Sequence, residues 1–141
     1  MSETFAKQSV SSDLARRMIG AAEAKAAEIG VPMNIAVVDE SGVLKAFSRM
    51  DGAALLSVAI AQDKAYTAVG FGMPTHAWHD FIKDDPPLAA GAPSGIDRLV
   101  IFGGGYPITV GGSVVGAIGV SGGHYTQDQE VAEAGLAVVE G

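Results

Sequence analysis

Two histidines stand three residues apart in His76-Ala77-Trp78-His79, inside a stretch, Thr75 to Ile82, that reads as a short helix. Side chains at i and i+3 share a helix face, so both imidazoles could reach one metal ion or a heme iron. Two histidines are not a coordination set, and no HExxH pattern accompanies them; a structural or surface role stays open. Trp78 between them suits a core anchor or the wall of an apolar ligand pocket. A third candidate iron ligand, His124, follows Gly122-Gly123 and precedes the last helix. A helix start presents unpaired N–H groups that suit an anion, and glycines let a ligand approach the backbone. His124 and Tyr125 could then move a proton near neutral pH. The plainer alternative is a turn closed by Thr126.

Three further groups invite chemistry. Lys64 sits in an apolar helical run, AQDKAYTA; a partly buried lysine can serve as a base, an imine former or an anion anchor. A salt bridge to Asp63 or another acid is its structural reading. Arg49 and Asp51, in RMDG, flank a hairpin-to-helix junction. Arg49 could grip a carboxylate in a bidentate fork; otherwise Asp51 caps the next helix and Arg49 pairs with a nearby acid. Gly103-Gly104-Gly105 leads into Tyr106-Pro107 and a strand, without the lysine or the strand–turn–helix setting of a phosphate loop. Gly104 and Gly105 suit a tight connection or a backbone approach to a pocket.

The elements that must position these residues follow from periodicity. Leu14, Met18, Ala22, Ala26 and Ile29 give a helix over Ser9–Gly30, capped by Ser11 or Ser12 and stopped by Gly30 and Pro32. Met33–Asp39 and Val43–Arg49 read as a hairpin around Glu40-Ser41-Gly42. Ala53–Val69 is the second helix. Lys83–Gly95, with three prolines, reads as a loop. Leu99–Phe102, Tyr106–Val110 and Ser113–Ser121 read as strands, the last two joined by a Gly111-Gly112 turn. Pro107 belongs at an edge or a strand start. Gly112, Gly116 and Gly119 permit a close approach of the first or last helix. The last helix runs from Thr126 to about Glu140, with Thr126 and Gln129 as a capping box. The order α-β-β-α-(α)-β-β-β-α predicts an α+β fold with a five-stranded antiparallel sheet and flanking helices.

The 141 residues predict one domain, 1–141. A net charge of −7 and the lack of any basic stripe exclude nucleic-acid backbones and anionic membranes as natural partners. The absence of cysteine removes disulfides, thiolate metal sites and a thiol nucleophile. Charged residues make up 18%, which points to surface hidden in a homo-oligomer. The polar N-terminus lacks an apolar signal core, and Ala53–Ala61 is too short to span a bilayer, so a cytoplasmic location is expected.

The segments AVVDESGVLKAFSRMDGA (36–53), AQDKAYTA (61–68), GGGYPI (103–108) and GGSVVGAIGVSGG with TQDQEVAEAG (111–135) resemble, in that order, the GlcG/HbpS family of heme-degrading domains. The C-terminal domain of PduO-type corrinoid proteins is similar. The resemblance covers nearly the whole chain and implies a profilin-like or PAS-like sandwich that assembles into oligomers. Some members bind heme, and many have no assigned activity. His76 and His79 lie outside the family motifs, and related sequences often carry a small hydroxyl residue where His124 stands. The expected function is small-molecule binding, with heme or another tetrapyrrole as the candidate ligand. Two alternatives are an acid/base enzyme acting on a carboxylate-bearing substrate and an oligomeric accessory protein without catalysis.

Overall fold

The computed structural model describes residues 2–140. Five helices and four strands follow one another as α1 (Ser12–Ile29), β1 (Asn34–Asp39), β2 (Leu44–Arg49), α2 (Leu56–Phe71), α3 (His76–Ile82), α4 (Pro86–Gly95), β3 (Gly105–Val110), β4 (Ser113–Ser121) and α5 (Tyr125–Leu136). The strands form one antiparallel sheet in the order β2-β1-β4-β3. β2 and β3 are its edges, which leaves Pro107 the edge position its missing N–H requires.

Strand alternation divides the core into two layers. Ile35, Val37, Ile118 and Val120 face α1 and α5, while Ala36, Val38 and Ala117 face α2. β1 is therefore covered on both sides, which is why it reads as an unbroken apolar run. Small residues set how closely α2 sits. A Cβ at Gly119 would strike the backbone of Ala61 and Ala65, so α2 rests directly on β4. Of the glycines expected to admit the first or last helix, Gly119 instead admits α2. Gly116 packs against Val38 and Val10, and Gly112 meets nothing, lying at φ 83° in the hairpin turn.

Local signals account for most boundaries. Ser11 caps α1 by accepting from Leu14 N at 3.0 Å, and Gly30 closes it at φ 73°. Other expectations fail for identifiable reasons. Leu99–Phe102 is not a fifth strand. Thr67 Oγ1 donates to Arg98 O and accepts from Val100 N, so the segment is tied to α2 rather than to a ladder. Its apolar residues pack with Trp78, Ile82 and Ala92. Most of the expected Lys83–Gly95 loop is α4. Asp85 caps it by accepting from Leu88 N, and Pro86-Pro87 occupy the first turn, where a helix needs no N–H. Asp51 does not cap α2, which starts five residues later at Leu56 without a side-chain cap. The capping box of α5 is His124 with Gln127, not Thr126 with Gln129.

Candidate functional site

The glycine triplet and the start of α3 are clasped together. Gly105 N donates to Thr75 Oγ1 at 2.9 Å, and Thr75 N donates back to Gly105 O at 3.0 Å. A Cβ at Gly105 would meet the Lys64 carbonyl and Thr75; one at Gly104, where φ is 129°, would meet Val120 O and Lys64 Nζ. Only glycine lets this turn pass so close to α2. Gly104 and Gly105 are thus buried against protein, and their approach is to α2 rather than to a free pocket.

On that clasp stands α3, with Trp78 turned inward and His76 and His79 turned out. The two histidines line one groove of about 370 Å³ together with Asp80, Phe102, Gly103 and Tyr125. The groove thus gathers two imidazoles, one phenol and a half-exposed phenyl ring from three segments: α3, the turn before β3, and the start of α5. His76 lies edge-on to Tyr106, 5.5 Å between ring centroids. The Tyr106 hydroxyl donates to Glu133 at 2.6 Å, and burial followed by this bond raises its pKa above the ordinary phenol value. Neither His76 nor His79 makes a side-chain hydrogen bond among the described residues. No group of three or more His, Asp or Glu side chains able to hold a metal ion occurs among the described residues.

Lys64 lies behind the groove. Its ammonium donates to Asp128 Oδ2 at 2.8 Å and to Val120 O at 2.9 Å, and lies 5.1 Å from the centroid of Phe102. Its partner is Asp128, 64 residues away, and not Asp63, which pairs with Arg98 at 2.8 Å. Burial lowers the Lys64 pKa and raises that of Asp128, while their mutual attraction opposes both shifts. The other Asp128 oxygen accepts from Gly123 N at 3.0 Å.

The Gly122–Tyr125 turn is committed to starting α5. His124 N donates to Gln127 Oε1 at 3.0 Å, and His124 Nδ1 accepts from Thr126 N at 3.3 Å and lies 2.9 Å from Thr126 Oγ1. The backbone N–H groups of Gly123, His124 and Thr126 thus already have partners, which weakens the case for an anion there. Accepting the Thr126 N–H requires an unprotonated Nδ1, so the cap assigns the His124 proton to Nε2. The His124 ring lies against Tyr125, 4.1 Å between centroids. Arg49 and Asp51 stand elsewhere, exposed beside Glu23, Ser48 and Met50 in an open hollow that shares no lining residue with the histidine groove. Phe102, Asp128 and Gln127 went unnoticed in the sequence. Phe102 was hidden in an apolar strand-like run, and Asp128 by the distance to its partner.

The family model described as haem degrading protein HbpS-like matches residues 10–137. The chain belongs to this HbpS-like family. It is 43% identical over 122 residues, 86% of each chain, to an uncharacterized 15.0 kDa protein of the dhaT-dhaS intergenic region of Citrobacter freundii. It is 34% identical over 119 residues to the corrinoid adenosyltransferase PduO of the same organism, covering 84% of this chain and 36% of that protein. The HbpS-like fold is equally clear in solved structures. Klebsiella pneumoniae protein ORFY superposes with a TM-score of 0.91 at 34% identity, over 99% of both chains. A PduOC:heme complex superposes with a TM-score of 0.84 at 30% identity, over 93% and 95%. These matches establish the α+β sandwich with four strands.

Proposed function

We propose that this protein binds heme, or a closely related tetrapyrrole, in the groove between α3, Phe102 and Tyr125. The observation that carries the reading is the placement of His76 and His79 on the open wall of one groove, both free of hydrogen-bond partners among the described residues. Imidazole nitrogen is a common protein ligand of heme iron, and Phe102 and Tyr125 offer flat faces to a macrocycle. The donor set therefore fits the group, and bound heme would supply an iron centre with redox chemistry. The existence of a heme complex of a family member supports the same choice. His79 or His76 would ligate iron. His124 is not a ligand while α5 keeps its cap, because Nδ1 accepts from Thr126 N and Nε2 then carries the ring proton.

The protein acts as a homo-oligomer in this reading. Leu55 and Leu56 are 77% and 78% exposed at the start of α2, a costly arrangement for an isolated chain. No helix among the described residues is long and apolar enough to cross a membrane, and we place the protein in the cytoplasm. Lys64 and Asp128 position the groove wall rather than transfer protons. Acid/base catalysis on a carboxylate finds less support, because Lys64 is paired and Arg49 with Asp51 lies apart from His124 and Tyr125.

A heme titration followed by absorbance, with His76→Ala, His79→Ala and His124→Ala, tests the proposal. Saturable binding with a Soret shift lost in His76→Ala or His79→Ala, and kept in His124→Ala, is the expected result. Non-saturating uptake indifferent to all three substitutions would remove heme as the ligand.

A further inference from the structure

Residues 76–102 leave the body of the protein and return to it at one point. Thr75 and Gly105 bound this excursion, and their two mutual hydrogen bonds pin its ends together. Between those ends the segment builds a core of its own. Trp78, Ile82 and Ala92 pack with Leu99 and Ile101, apart from both layers beside the sheet. α3 and α4 make their main helix contacts with each other. α4 is exposed except at Ala92, and it contains Gly91 and Pro93, which weaken a helix interior.

The excursion meets α2 across a void rather than a packed face. A cavity of about 270 Å³ is lined by Thr67, Gly70 and Phe71 from α2 and by Trp78, Ile96 and Leu99 from the excursion. Atoms beside a void lose the dispersion contacts that would otherwise hold the two parts together. A polar latch bridges the gap instead. The buried Thr67 hydroxyl donates to Arg98 O at 2.9 Å and accepts from Val100 N at 3.1 Å. The Arg98 guanidinium lies 2.8 Å from Asp63 and 3.9 Å from the Tyr66 ring centroid. All three partners belong to α2. Arg98 itself holds φ at 64°, a left-handed conformation that a residue with a Cβ adopts under strain. Opening the latch relieves that strain.

We propose that residues 76–102 are a flap that opens as one body about the Thr75–Gly105 clasp when Thr67 lets go of Arg98 and Val100. A separate core, pinned ends and a void beneath mark the flap as a cooperative unit of lower stability than the sheet. It carries His76, His79 and Phe102, whereas Tyr125 of the same groove belongs to α5. Each opening therefore takes the groove apart, and an occupant that touches both walls holds the flap shut. This coupling rests on the heme reading; the opening does not.

Amide hydrogen exchange of the purified protein, followed by NMR across a urea series, tests the flap. The amides of Lys83, Ile96 and Val100 donate to His79 O, Ala92 O and Thr67 Oγ1, in three separate parts of it. They are expected to share one protection factor and one urea dependence, and to be less protected than the amides of β1 and β4. Thr67→Val keeps the shape and removes both hydrogen bonds, so it should speed all three about tenfold. Thr67→Ser should restore the parent rates. Ile118→Val weakens the core beside the sheet, which stays folded when the flap opens. It should speed the β1 and β4 amides and leave the three flap amides as they were. Three unrelated protection factors would overturn the proposal, because they mean local fraying. So would flap amides that quicken in Ile118→Val, which means unfolding of the whole chain, or that ignore Thr67→Val. The Ile118→Val comparison decides the matter even if Thr67→Val fails to fold. Saturating heme should slow the three amides together. Unchanged rates beneath a shifted Soret band would overturn the coupling of flap to groove and leave heme binding intact. A protein with no Soret shift loses the heme reading and the coupling with it, and the opening stands or falls on the rates without heme.

Discussion

Lys64 Nζ lies 2.8 Å from Asp128 Oδ2, and the two side chains are 0% and 3% exposed. This pair joins the middle of α2 to the first turn of α5. Through Val120 O and Gly123 N it also holds the end of β4. Removing one partner strands a charge or forces it to change protonation, whereas removing both strands none. Lys64→Met and Asp128→Asn should each cost about 3–5 kcal/mol. The double variant should cost clearly less than the sum, because it leaves neither buried charge without its partner. A double-mutant cycle by urea unfolding measures this coupling, and strictly additive losses would show that the charges do not depend on each other.

His124 starts α5 with a ring nitrogen where a hydroxyl or carboxylate usually stands. His124→Ala should therefore lose about 0.5–2 kcal/mol of stability, the usual worth of an N-cap. His124→Ser should recover most of it, since a serine oxygen accepts the same N–H. A catalytic or iron-ligating histidine would show the reverse pattern, with stability held and function lost. Melting curves of the two variants, read beside their Soret bands, separate the roles.

Local chemistry was the legible part of this fold. Ser11, Gly30 and the Gly111-Gly112 turn act within a few residues, so their signals survive in the sequence. The β-rich run at Leu99–Phe102 misled because apolar residues pack equally well against Trp78 as in a sheet. Pro86-Pro87 misled because proline breaks a helix interior but suits its first turn. The site was legible only in fragments. His76 and His79 could be paired from their spacing, whereas Trp78 between them turns into the core with Ile82 and Ala92 and takes no part in the groove. That Phe102 and Tyr125 complete the groove depends on how the glycine triplet is clasped to Thr75, a tertiary fact.

Acid should loosen the first hairpin before it reaches the core. Glu40 is held down to about 2, first by the Ser41 hydroxyl and then by Ser9 and Lys7. A carboxyl whose folded pKa lies below its unfolded value stabilises the fold fully above the unfolded pKa. That contribution fades as pH falls through the window down to the folded pKa. The window here runs from 4.5 to about 2. Urea midpoints measured across it should fall less steeply in Glu40→Gln than in the parent protein. Parallel curves would show that Glu40 contributes nothing to acid sensitivity.

Two glycine substitutions should move stability in opposite directions. At Gly119 a methyl group would press into the Ala61 carbonyl and the Ala65 amide, backbone groups that cannot rotate away. Gly119→Ala must push α2 off β4, so its cost should reach or exceed the roughly 1–3 kcal/mol typical of overpacked cores. Gly20 lies on the exposed side of α1, and its added Cβ meets nothing within 4 Å. Gly20→Ala should gain about 0.5–1 kcal/mol, because alanine loses less backbone freedom in a helix. Thermal unfolding of both variants checks the pair. A tolerated Gly119→Ala would mean that α2 can shift on the sheet, and with it Lys64 and the groove wall that Lys64 supports.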